Sequence, residues 1–112
     1  MSASTIYVTA SSSKEARVIA HKVIGERLAA CANIIDKVTS VYVWKDVVQQ
    51  DTEAVLILKT RSDLITPLTN RIKELHSYDC PCITALSISD GNADYIAWIT
   101  EETSRNKNDL SD

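Results

Sequence analysis

Apolar positions recur along this chain with two different periods, and the switches between them divide it into elements. Thr5–Ala10, T-I-Y-V-T-A, is a short apolar run that ends in Ser11, Ser12 and Ser13. It reads as a strand feeding a helix. Ser12 with Glu15 three residues on has the form of a capping box, in which each side chain takes the other's free backbone N–H. Ala16, Ile19, Ala20, Val23, Ile24, Leu28 and Cys31 then recur at helical spacing, with Lys14, Arg17, Lys22, Glu26 and Arg27 largely off that face. The spacing predicts one amphipathic helix of about five turns. A glycine in a helix interior costs roughly 1 kcal/mol against alanine, so Gly25 is expected to mark a close approach to the sheet.

The period changes to two in the ribbon Val38–Thr60, around which the rest is organised. It holds two strand-like runs, Val38–Trp44 and Ala54–Thr60, the first dominated by β-branched and aromatic residues. Lys45-Asp46 is the candidate tight turn, which sets Trp44 opposite Val47, Val43 opposite Val48, Ser40 opposite Asp51 and Val38 opposite Glu53. Asp36-Lys37 breaks or bulges the extended chain that leads in from Ala32–Ile35. Seven residues of strand reach ~24 Å, against a radius of gyration of roughly 13 Å for a compact chain of this length. The hairpin therefore overshoots its own domain while carrying Val41, Tyr42, Val43, Trp44, Val47 and Val48. The return run A-V-L-I-L-K-T is apolar on both faces until Lys59, as in a strand covered on both sides. Both features imply that another chain receives the arm.

Arg61-Ser62-Asp63 is suited to cap a second helix with Pro67 in its first turn, where a missing N–H is harmless. Leu64, Leu68, Ile72 and Leu75 mark its inner face, and it stops near His76 because Pro81 forbids continuation. Cys82–Ser89 alternates as a fourth strand. Asn92 caps a short third helix carrying Tyr95, Trp98 and Ile99, and from about residue 104 the chain is a frayed polar tail. The order β-α-β-β-α-β with an added helix is the ferredoxin-like plan. The expected fold is α+β: an antiparallel sheet with helices on one face, a long hairpin arm and an extra C-terminal helix. The other sheet face is left for assembly.

Composition narrows the function. At 112 residues the chain is read as one domain, 1–112. A net charge of −3 and a pI near 5.3 offer no basic footprint for nucleic acid or an anionic membrane. No apolar run approaches the ~20 residues of a membrane span, and the N-terminus lacks a signal-peptide pattern. Three cysteines, with Cys80 and Cys82 too close to pair comfortably, suit a reduced, cytoplasmic setting.

Soft ligands concentrate in His76-Ser77-Tyr78-Asp79-Cys80-Pro81-Cys82. A Cys-x-Cys on extended chain aims two sulfurs the same way, and thiolate with imidazole suits Cu(I) or Zn. Against that stands the ordinary reading of a cysteine near a strand as a small buried hydrophobe. Cys31, in phase with the apolar helix face, reads as packed core, and no base is visible beside it. Trp44 at the hairpin tip reads as an interface anchor, while Tyr78 and Trp98 read first as packing aromatics. No nucleophile–base pair or glycine-rich phosphate loop appears, and A-S-S-S-K-E-A-R after the first strand lacks the glycine-rich anion loop of an acylphosphatase. The chain is read as no enzyme.

Five stretches resemble the CutA divalent-cation tolerance family in order and spacing: E-R-L-A-A-C-A-N-I at Glu26–Ile34, S-V-Y-V-W at Ser40–Trp44, L-I-L-K-T at Leu56–Thr60, L-H-S-Y-D-C-P at Leu75–Pro81 and G-N-A-D-Y-I-A-W at Gly91–Trp98. The resemblance implies a tight homotrimer whose hairpins interlock around a threefold, a cytoplasmic location in bacteria, and a link to tolerance of copper or other divalent metal ions. A trimer of this type is expected to take a metal or small ligand in inter-subunit clefts near Tyr42, Trp44, Lys59, Tyr78 and Trp98. Cys80 and Cys82 are metal-ligand candidates from this chain's own Cys-x-Cys, and only His76 and Cys31 are soft-metal candidates that come with the resemblance. No catalytic activity or fixed cofactor comes with it. The alternative is a non-enzymatic trimeric assembly or signalling module that binds a protein partner and has no direct metal site. Two departures stand out. The family tip W-E-G is here Trp44-Lys45-Asp46, and the family's H-P-Y-x-x-P-E ends in Cys82, which replaces an oxygen ligand by sulfur.

Overall fold

The structure, a computed structural model, describes residues 2–104. Of the polar tail expected from about residue 104, only Ser104 lies among them, and the rest falls outside the described residues. The elements run β1 (Ala3–Ala10), α1 (Ser13–Gly25), β2 (Cys31–Trp44), β3 (Val47–Arg61), a 3-10 turn (Ser62–Leu64), α2 (Ile65–Leu75), β4 (Ile83–Ile88) and α3 (Ala93–Glu102). The four strands form one antiparallel sheet in the order β2-β3-β1-β4. This is the ferredoxin-like α+β plan with one helix added.

Strand alternation decides what is buried. Ile6, Val8 and Ala10 lie opposite Leu58, Leu56 and Ala54, so all six point to one face. Ala16, Ile19 and Val23 of α1 and Leu68 and Ile72 of α2 join them in the core. The opposite face leaves Tyr7, Ile35 and Leu86 exposed. An antiparallel sheet tolerates one wet face when that face is polar; this one is partly apolar.

The helix starts follow the sequence more closely than the stops. The Ser12 hydroxyl accepts the Glu15 N–H at 3.1 Å, while the Glu15 carboxylate reaches back one residue further than a capping box requires, to the Ser11 N–H at 2.9 Å. Asn92 caps α3 through the Asp94 N–H at 3.0 Å. Arg61-Ser62-Asp63 does not cap α2: Ser62 and Asp63 belong to the 3-10 turn, and α2 begins without a side-chain cap. The five turns expected of the first helix shorten to the 13 residues of α1. Arg27 adopts a left-handed φ of 61°, the Leu28 N–H returns to the Val23 carbonyl at 2.9 Å and the Arg27 N–H to Ile24 at 3.0 Å. That is a Schellman stop, with Arg27 where glycine is usual. Leu28 still reaches the core, but Cys31 is not on the helix; it opens β2. Gly25 marks no close approach, since a Cβ there would meet nothing within 4 Å.

The ribbon has the register read from its turn: Trp44 faces Val47, Ser40 faces Asp51 and Val38 faces Glu53. Lys45 and Asp46 both have positive φ, 51° and 64°, as a two-residue primed turn requires. Between the Ile35–Val55 and Val38–Glu53 pairs, Asp36 and Lys37 stand against Ala54 alone, a β-bulge. β1 stops pairing with β3 at Ala54. Beyond it Val38–Trp44 and Val47–Glu53 project as a two-stranded arm of ~23 Å. The arm stretches the molecule to 48 × 31 × 23 Å, with a radius of gyration of 14.7 Å.

Candidate functional site

Three clusters hold the residues singled out in the sequence. The first is the loop from α2 to β4. His76 ends the helix with its side chain fully enclosed. Its Nδ1 accepts the Tyr78 N–H at 3.1 Å, so the proton sits on Nε2, which donates to the Thr9 carbonyl at 2.8 Å. A metal at either nitrogen would have to displace one of these bonds. Glu15 accepts the Ser77 N–H at 2.8 Å, and the Tyr78 hydroxyl donates to Glu53 at 2.8 Å. Partial burial works against the Glu15 anion, but the donors of Ser11 and Ser77 outweigh it and hold its pKa at about 2, below the ordinary 4.5. Burial, and then the bond to Glu53, push the Tyr78 phenol well above its usual value. The loop is pinned to β1, α1 and β3 at once.

The second cluster is the arm. Val41, Tyr42, Val43, Trp44, Val47 and Val48 are each between 40% and 70% exposed. Tyr42, Trp44 and Val47 share one face of the ribbon and Val41, Val43 and Val48 the other. Tyr42 hydrogen-bonds Asp51, which raises its pKa, and the Lys45 ammonium lies 6.0 Å over the Trp44 ring.

The third cluster lies at the far end of the sheet. Cys31 pairs with Lys59 across β2 and β3, and the Lys59 ammonium donates to the Asn33 side-chain oxygen at 3.1 Å. A hydrogen bond to the Cys31 sulfur raises the pKa of Tyr95, which stacks on Trp98 with ring centroids 5.5 Å apart. Trp98 is 38% exposed. Cys31 is only half-buried, so its reading as packed core is corrected. It shares an open groove of about 420 Å³ with His21, Ile24 and Gly25, a neighbourhood that the overlong helix concealed in the sequence.

The four metal candidates do not converge. Cys31 opens one edge strand, while His76, Cys80 and Cys82 precede the other. Three inter-strand spacings separate those edges, ~14 Å. Among the described residues no group of three or more His, Cys, Asp and Glu side chains is arranged to hold a metal ion. The five expected cleft residues also divide, with Tyr42 and Trp44 on the arm, Tyr78 at its base, and Lys59 and Trp98 at the sheet end.

Comparison with known proteins bears on these clusters. The family described as CutA1 divalent ion tolerance protein matches residues 4–102. The divalent-cation tolerance protein CutA of Thermus thermophilus is 42% identical over 98 residues, covering 88% of this chain and 95% of its own. The crystal structure of CutA1 from Oryza sativa superposes with a TM-score of 0.90 at 39% identity, covering 95% of this chain and 97% of that one. The structure of the periplasmic divalent cation tolerance protein CutA from Archaeoglobus fulgidus gives a TM-score of 0.87 at 37% identity, covering 90% and 98%. The chain spans 54% to 58% of the length of the first plant and animal relatives it matches, some described as chloroplastic. A cytoplasmic location therefore does not follow from kinship, and no helix among the described residues is long and apolar enough to cross a membrane. With the fold, the ribbon and the match over residues 4–102 in agreement, the chain belongs to the CutA1 divalent ion tolerance family.

Proposed function

We propose that this protein acts as a homotrimer in the tolerance of divalent metal ions, copper among them, and meets its ion or small ligand in clefts between subunits. The observation that carries the reading is the arm. A two-stranded ribbon is marginal in water by itself, and this one bears six exposed apolar side chains. Covering them is worth on the order of 10 kcal/mol, comparable with the association cost of roughly 4–15 kcal/mol. Tyr7, Ile35 and Leu86 on the open sheet face add to that. Apolar residues on both faces of the ribbon suit insertion between two neighbours, as in a closed ring, better than docking on one. Such a ring carries Tyr42 and Trp44 of one copy toward Lys59 and Trp98 of the next, which assembles the cleft set that one subunit leaves divided. The role is binding rather than catalysis, in keeping with a family named for ion tolerance. Three free thiols, two of them exposed, suit a reducing compartment such as the cytoplasm.

Sedimentation at micromolar concentration tests the assembly. The wild-type chain is expected as a trimer, and Trp44→Asp is expected to weaken it by placing a charge in an apolar contact. A folded wild-type monomer, or a variant trimer of unchanged stability, overturns the reading. A protein-binding module without a direct metal site is the second reading, favoured by the scattered ligand set among the described residues. A trimer that retains no copper or zinc in equilibrium dialysis at micromolar concentration selects it.

A further inference from the structure

The α2–β4 loop ends in Cys80-Pro81-Cys82, two exposed free thiols two residues apart. Among the described residues neither sulfur has a hydrogen-bond partner, whereas the Cys31 thiol donates to the Asn33 side-chain oxygen at 4.0 Å. The link that carries the pair is short and held at both ends. Upstream, Tyr78 is fixed through its N–H to His76 and its hydroxyl to Glu53; downstream, Ile83 pairs with Val8 in the sheet. Pro81 fixes its own φ and drives Cys80 toward extended backbone, which narrows the link further. The pair is thus presented to solvent with little conformational freedom left to lose on binding.

The donor set decides the ion. Zinc takes four ligands in a closed site, and the described residues offer no third His, Cys, Asp or Glu grouped with this pair. Two sulfurs with no third donor match a soft cation content with two thiolates, the preference of Cu(I). We propose that Cys80 and Cys82 form a two-thiolate site for a soft, two-coordinate cation of the Cu(I) type. The binding step balances without an oxidant: two S–H bonds break, two S–metal bonds form, and two protons pass to solvent, giving a complex of net charge −1. The inference goes beyond the metal reading above, since it places a monovalent soft ion on one subunit's own loop and not in a cleft between subunits, and it does not depend on the trimer.

The test is anaerobic titration of the reduced full chain with Cu(I) in competition with bicinchoninate, alongside Cys80→Ser, Cys82→Ser and Cys31→Ser. One Cu(I) per chain is expected, with affinity falling on the order of 100-fold in either loop variant, as when one arm of a chelate is cut. Cys31→Ser is expected to bind as the wild type does. No Cu(I) captured by the wild type overturns the site. So does capture that survives both loop substitutions or is lost in Cys31→Ser, and so does Zn(II) held as tightly as Cu(I). Sedimentation of the same samples separates the two ideas: a trimer that ignores the loop variants' lost affinity leaves both standing. A trimer that binds copper elsewhere removes only the dithiol site, and a wild-type monomer removes only the assembly.

Discussion

The ring of His76 has both of its nitrogens engaged in hydrogen bonds that its sequence neighbours do not reveal. An imidazole beside two cysteines looks like a ligand in the sequence, because type and spacing are all a sequence displays. Its lone pair is taken by the N–H of Tyr78, two residues on, and that depends on how the loop folds back onto Thr9. Glu15 is a similar case. Its place three residues after the Ser12 cap was legible, but one oxygen reaches past that cap to Ser11 and the other holds Ser77, 62 residues away in sequence, and no local pattern announces that bond. The pKa of about 2 gives the bond a pH signature. A carboxylate whose folded value lies below its ordinary 4.5 stabilises the fold above that ordinary value, and the contribution is lost as pH falls toward 2. Glu15→Gln is expected to cost about 1–2 kcal/mol at pH 7 and to converge with the wild type near pH 2. Urea unfolding at both pH values checks it; an equal deficit at each would show that the charge of Glu15 is not what matters.

Elements were more legible than the contacts between them. The hairpin register followed from one turn and strict alternation, since a slip of one residue would send every side chain to the other face. The end of α1 did not follow, because Leu28 keeps helical phase while the backbone has already reversed at Arg27. A non-glycine residue in the left-handed position gave no warning. The arm's turn carries the same kind of cost, with both Lys45 and Asp46 at positive φ. A left-handed residue other than glycine is disfavoured by about 1–2 kcal/mol, less for aspartate. Asp46→Gly is therefore expected to raise the unfolding midpoint, with a gain of about 0.5–1 kcal/mol, and to leave assembly unchanged. A lower urea midpoint would mean that the Asp46 side chain contributes more than its backbone strain removes.

For the whole molecule, the apolar excess of the ribbon is legible in the sequence and is the ground for the assembly proposed above, whereas the division of the expected cleft residues between the two ends of the subunit follows only from the fold. The bulge at Asp36-Lys37 bears on that division as mechanical geometry. It sits at the base of a beam ~23 Å long, so it works as a hinge setting. A bulge bends its strand and increases the local twist. A change in heading of ~20°, the size of ordinary inter-strand twist, swings the tip by ~8 Å, farther than a tryptophan can reach to compensate. Deleting Lys37 removes the extra residue while leaving the pairs on either side, Ile35 with Val55 and Val38 with Glu53, in phase. The expected product is a chain with the circular dichroism of the parent and a sedimentation coefficient of separated subunits. In that shortened chain every strand would still be paired and every anchor present, with Trp44 aimed at empty solvent.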